Sequence, residues 1–217
     1  GSVDAVENQM FHDDAARLRG DMSASIMQDI SKAYERLEHG VAMRLCAAAG
    51  FPLRVLKLAI ACYRGARRIS SGGAVSRSVK SISGIIAGCP HAVYILRGVT
   101  MIVVDCLLEE DKYARMYLSS LVIMIYVDDI TVQMFGSARW LESEVPQIAI
   151  RLKDLLWMMA QLPISDDKTL IVASITKLAK KIGLALNLPH AQRVRQLGVD
   201  YASGRTIPQI VRRKRCK

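Results

Sequence analysis

A chain of 217 residues with 51% apolar and 23% charged side chains is long enough to bury a core and too apolar for wholesale disorder. Its formal charge of +10 points to an anionic partner, nucleic acid before a membrane surface. Five cysteines with no C-x-x-C pair exclude a disulfide framework and read as reduced core residues of an intracellular protein, in cytoplasm or nucleus.

Residues 3–19 read as a helix ending near Gly20, and Asp4, Glu7, Asp13 and Asp14 within it argue against a signal peptide. The apolar run 23–30 reads as a strand that feeds a helix over 31–39, with Asp29 at the junction. Helices are expected at 41–49, closed by Gly50, and at 52–63, with Pro52 in the first turn. A β-hairpin is expected around Gly72-Gly73, because its turn needs positive φ. A glycine-punctuated loop at 84–89 opens a long apolar helix at 90–108, in which His91, Arg97 and Asp105 argue against a membrane span.

Two strands meet at Asp128-Asp129, followed by an amphipathic helix at 138–161, a loop and strand within 164–174, a helix at 175–186 and a last strand at 194–202. Strands and helices that do not alternate strictly indicate an α+β fold, with an antiparallel sheet backed by helices.

The stretch Ile125–Gln133 places two adjacent aspartates in an otherwise β-branched, apolar run. Carboxylates there either sit at a hairpin tip in water or meet a cation, since an unpaired buried charge is costly. Asp29 also ends a strand-like segment; it caps the following helix, or it joins Asp128 at a divalent cation. Carboxylates about 4 Å apart repel by about 4 kcal/mol at an effective dielectric of 20, which a hard cation such as Mg²⁺ offsets. The four histidines lack zinc spacing, and no Walker loop is present.

Five short motifs occur in order: "DISKAY" at 29–34, "GIIAGCP" at 84–90, "YVDD" at 126–129, "SDDKT" at 165–169 and "RQLGVD" at 195–200. In order and spacing they resemble the palm motifs of reverse transcriptases (RNA-directed DNA polymerases), most like the non-LTR retroelement type, over roughly residues 20–202. The resemblance implies a polymerase palm, a ferredoxin- or RRM-like sheet of about four antiparallel strands with helices mainly on one face. It divides the chain into a helical segment 1–22, a palm 23–202 with a partial fingers insert at about 40–83, and a basic tail 203–217. With 28 residues before Asp29 and 19 after Gly198, only part of the fingers and essentially no helical thumb are expected.

The resemblance also implies roles. Asp29 and Asp128, supported by Asp129 and the carbonyl of Ile30, would hold two Mg²⁺ ions, with Mn²⁺ as the alternative. Tyr34 would lie under the sugar of an incoming deoxynucleoside triphosphate and exclude a 2′-hydroxyl. Gly88 would border the nucleotide, Gly84 would let the backbone approach template and primer, and Lys168 would stand beside the triphosphate. Leu197 and Gly198 would form the turn that grips the primer. Ala87 departs from the family, which places a hydrogen-bonding glutamine there. The partners implied are an RNA or DNA template with its primer and no membrane. An inactive nucleic-acid-binding relic and a two-metal nuclease are the competing readings.

Overall fold

The computed structural model describes residues 2–117, 119–191, 193–196 and 199–202. A five-stranded sheet organises the chain: β1 (Met22–Asp29), β4 (Leu121–Tyr126), β5 (Asp129–Gly136), β6 (Leu170–Ala173) and β7 (His190–Ala191), in spatial order β4-β5-β1-β6-β7. β1 lies in the middle, antiparallel to both β5 and β6. The expected purely antiparallel sheet is corrected at one edge, because β7 pairs parallel to β6 through two residues.

Strand alternation sorts β1 into two faces. Ala24 and Ile26 join Ile130, Val132 and Met134 of β5 in the main core. That core is closed by α3 (His39–Ala48), α4 (Leu53–Arg64), α5 (Pro90–Leu108), α7 (Ala138–Leu155) and α8 (Thr176–Leu186). α5 begins with proline in its first turn and buries Ile95, Leu96, Val99, Val103 and Leu107 completely. Its length and composition alone would suit a membrane span, but half of it is inside the protein as a core helix.

The helices lie mainly on this face, as expected, but the opposite face is not bare. α1 (Ser2–Leu18) lies across it: Met10 packs on Met27 and Val172, and Ala16 on Val122 and Phe135. Between them Gln133 donates to the Gln9 carbonyl at 3.1 Å and to Asp13 at 2.8 Å.

Several boundaries differ from expectation. The helix expected at 31–39 is a single turn, α2 (Ala33–Arg36), and α3 already begins at His39. The break is at Leu37, whose carbonyl accepts the Gly84 amide at 2.9 Å instead of continuing the helix. A short helix α6 (Asp111–Met116) follows α5, where no element was expected. The glycine hairpin is present as β2 (Ser70–Ser71) and β3 (Ala74–Val75). The amphipathic helix expected at 138–161 ends in a π-helical turn, Leu156–Ala160. The last strand is instead an antiparallel pair, β8 (Arg193–Gln196) and β9 (Val199–Ala202).

Candidate active site

The site is built where the two central strands end. Asp29 is the last residue of β1 and stands opposite Asp129, the first residue of β5. Such antiparallel partners have Cα atoms about 4.5–5.5 Å apart. β4 and β5 are joined by a two-residue loop, Val127-Asp128, because Tyr126 pairs with Asp129. The Asp128 carbonyl accepts the Ile30 amide at 3.1 Å, which ties the loop to the exit of β1. Asp29 is therefore gathered at one end of the sheet with Asp128 and Asp129, which follow it by 99 and 100 residues. Asp128 is in the hairpin tip, one of the two alternatives the sequence left open, and a cationic side chain reaches the neighbouring Asp29.

That cation is Lys168. Its ammonium lies 3.1 Å from Asp29 Oδ2 and 3.3 Å from Oδ1. The loop carrying it is fixed from both sides. The Ser165 amide donates to the Asp29 carbonyl at 2.8 Å, and the Ser165 carbonyl accepts from the Lys168 amide, the Thr169 amide and Thr169 Oγ1. Lys153 pairs with Asp166 at 2.7 Å. The sequence expectation set Lys168 beside a triphosphate; here its partner is Asp29.

The charge density is visible in proton affinities. Burial, then the negative charges of Asp128 and Asp29, push the Asp129 carboxyl up to about 6, with Lys168 pulling the other way. Burial and the Asp128 charge likewise raise the Tyr34 hydroxyl. Asp129 is thus protonated more readily folded than unfolded, so it favours folding at acid pH and that contribution is lost as pH rises through about 6. In cation-free buffer, Asp129→Asn is expected to stabilise the chain above about pH 7 and to change nothing below about pH 3, where the aspartate is protonated in both states. Urea unfolding across that range checks this; a pH-independent effect would exclude it.

Tyr34 lies on the one-turn helix α2, partly buried against the core and within reach of the Asp128 charge. The glycine loop docks on the same turn: the Ile85 amide donates to the Tyr34 carbonyl at 2.6 Å. Gly84 has φ +85°, and a Cβ there would meet the Glu35 carbonyl at 3.1 Å, so its close approach is to the chain itself. Gly88 also has φ +85°, but the space beside it is open and Ala87 is exposed. Two buried side chains that sequence reasoning missed brace this loop. His39 Nε2 donates to the Gly84 carbonyl at 2.8 Å, and the Tyr63 hydroxyl donates to Cys89 Sγ at 3.2 Å. Tyr63 thereby lowers the Cys89 thiol, which marks this cysteine off from an inert core residue. Ile30 is buried and forms an isolated bridge with Ile164. Leu197 and Gly198 lie outside the described residues.

The donor set suits a hard divalent cation in kind, since Asp29, Asp128 and Asp129 offer only oxygens, and after burial their mutual repulsion helps to raise Asp129. Among the described residues no three His, Cys, Asp or Glu side chains are already gathered as a ligand shell.

A second feature, whose full extent the sequence reading did not give, is one of charge. From His39 to Val104 there is no acidic residue, while Arg44, Arg54, Lys57, Arg64, Arg67, Arg68, Arg77, Lys80 and Arg97 are all present and all exposed. None of these nine forms an ion pair with a described residue. The net charge hides this zone; counting acids along the chain reveals it.

No family model and no curated protein matches the chain. Solved structures of telomerase do. The Candida albicans enzyme, in complex with a TWJ fragment of telomeric RNA, has TM-score 0.61 at 12% identity, over 94% of this chain and 34% of that one. The Candida tropicalis enzyme with such a fragment has TM-score 0.60 at 10% identity, over 81% and 30%. Its apo form, truncated from the C-terminal domain, has TM-score 0.53 at 10% identity, over 94% and 39%. At these identities the likeness is one of fold. The chain has a polymerase-like α+β fold, in agreement with the reverse-transcriptase-like architecture that the motifs imply, and it spans about a third of those telomerase chains.

Proposed function

We propose that the chain is the catalytic palm of a template-directed DNA polymerase of the reverse-transcriptase class, of the non-LTR retroelement type. The observation that carries this reading is the convergence of Asp29 and Asp129 in register, with Asp128 at the adjoining tip, in a fold shared with telomerase. Asp29 and Asp128, supported by Asp129, would hold Mg²⁺, which when bound activates a primer 3′-hydroxyl and stabilises the leaving pyrophosphate. The chain's own residues do the rest. Tyr34 walls the nucleotide sugar and favours deoxynucleotides. Lys168, released from Asp29, offers its ammonium to the triphosphate; the open backbone at Gly88 leaves room for the base.

The test is primer extension with the full chain on RNA and DNA templates. Incorporation that needs deoxynucleotides and Mg²⁺ and disappears in Asp128→Asn supports the proposal. Cleavage of the nucleic acid without deoxynucleotides would replace it with the nuclease reading. One observation favours a non-catalytic reading: Ala87 brings only a methyl group to the glycine loop. Tight binding without extension would select that alternative.

The acid-free zone gives the reading an electrostatic consequence. If four of its nine cations neutralise phosphates of a single strand, binding should fall with salt at a log–log slope of about −3. Replacing Arg68 and Arg77 by alanine is expected to reduce that slope by about 1.4. Fluorescence anisotropy at several salt concentrations measures both, and a flat response would remove the polyanion from the proposal.

A further inference from the structure

The hairpin of β2 and β3 lies within residues 64–80, all of which are exposed. Gly72 and Gly73, both at positive φ, close its turn. Among the described residues its two strands pair only with each other, so β2 presents an outer edge of unpaired backbone. Into that edge runs Arg67-Arg68-Ile69-Ser70, the one place in the chain where two arginines stand three and two residues before a serine. The Ser70 hydroxyl makes no hydrogen bond to a described residue, whereas Ser76 holds the hairpin together by accepting from the Ile69 amide at 2.8 Å.

Both arginines are exposed and face no acid from their own segment. Arg67 donates to the Tyr63 carbonyl at 2.9 Å, which leaves most of its five N–H donors open. Guanidinium forks match carboxylates, so this edge suits a partner with an acidic cleft for an extended segment. Serine kinases that select basic substrates have such a cleft and read arginines three and two residues before the acceptor. We propose that Ser70 is a phosphorylation site for an arginine-directed serine kinase, and that its phosphate weakens polyanion binding by the acid-free zone. In the transfer, Ser70 Oγ attacks the γ-phosphorus of ATP, and the new O–P bond forms as the bond to the β–γ bridging oxygen breaks. ADP leaves, and the hydroxyl proton passes to the kinase's base.

The effect of the phosphate rests on the polyanion reading of that zone. A phosphoserine brings a charge of about −1.5 to −2 into a segment that has no acidic side chain from His39 to Val104. Arg68 stands two residues before Ser70, and Arg77 two residues after Val75, the cross-strand partner of Ser70. The phosphate therefore joins cations that would otherwise meet the phosphates of a bound strand.

The experiment incubates the full chain with γ-labelled ATP and purified cyclic-AMP-dependent kinase, and tandem mass spectrometry locates the acceptor. About one phosphate per chain is expected, on Ser70. Ser70→Ala should lower incorporation at least about tenfold. Arg67→Lys with Arg68→Lys keeps the charge and should slow labelling about tenfold, because an ammonium lacks the fork. Fluorescence anisotropy against salt then compares single-strand binding by the unmodified, phosphorylated and Ser70→Ala chains. The unmodified and Ser70→Ala chains should share one log–log slope, and the phosphorylated chain should lose about 1.0–1.4 of it. Absence of labelling, labelling that survives Ser70→Ala, or an unchanged slope after phosphorylation would each overturn the proposal. A flat salt response of the unmodified chain would instead overturn the polyanion reading, and with it the effect assigned to the phosphate, while labelling at Ser70 would still establish the site.

Discussion

Asp29→Asn is expected to lower single-nucleotide incorporation by about a thousandfold while changing folding stability by no more than about 1 kcal/mol. The first figure follows from the proposed function: removing one anionic oxygen from a centre where divalent cations would contribute several kcal/mol, since about 4 kcal/mol corresponds to a thousandfold in rate. The second follows from the partner: the Lys168 side chain is 66% exposed, so solvent screens its pair with Asp29. Lys168→Ala should behave differently, costing about a hundredfold, as expected for a group that assists proton or charge transfer at the leaving phosphate. Extension rates and urea unfolding, measured on the same preparations, separate the two effects. An Asp29→Asn chain that extends primers at the normal rate would end the proposed role of this residue.

Ile26→Ala should destabilise the chain by about 3–4 kcal/mol, the largest effect expected from a single truncation in the sheet. Ile26 is 0% exposed and sits at the crossing of two pairings, opposite Val132 on β5 and Ile171 on β6. Its neighbours are strands on both sides and helices above, so the space left by three lost carbons cannot readily collapse. Ile69→Ala, at a side chain 71% exposed on the hairpin flank, should change stability by less than about 0.5 kcal/mol. Urea midpoints with unchanged slopes would verify both; comparable losses at the two positions would contradict the assigned core.

The parts legible in the sequence are those set by local pattern. Pro90 and the preceding glycines mark the start of α5 at the residue where it begins, and the apolar run before Asp29 is β1. The loop at 165–169 precedes the strand β6 as the local pattern predicts, and it carries Lys168 to 3.1 Å from Asp29. What escaped reading depends on distant contacts. The early end of α2 is imposed by Gly84, the brace on the Gly84 carbonyl comes from His39, 45 residues earlier, and the brace on Cys89 comes from Tyr63, 26 residues earlier. β7 is two residues long and owes its parallel pairing to the path of α8, so no periodicity could announce it. α1 covers the second sheet face with a few apolar residues, Met10 and Ala16, and polar contacts such as Gln133 with Asp13, a mixture that hydrophobic patterning does not register. The acid-free zone was open to inspection, but a whole-chain charge averages it away.

Val127 holds φ +58° at the first position of the loop that bears Asp128, a place glycine normally occupies in two-residue hairpins. A β-branched side chain there is a genuine conformational outlier. Val127→Gly would relax the backbone, yet it would also widen the range of positions open to the neighbouring carboxylate, setting robustness against the alignment of Asp128 that the proposed function needs.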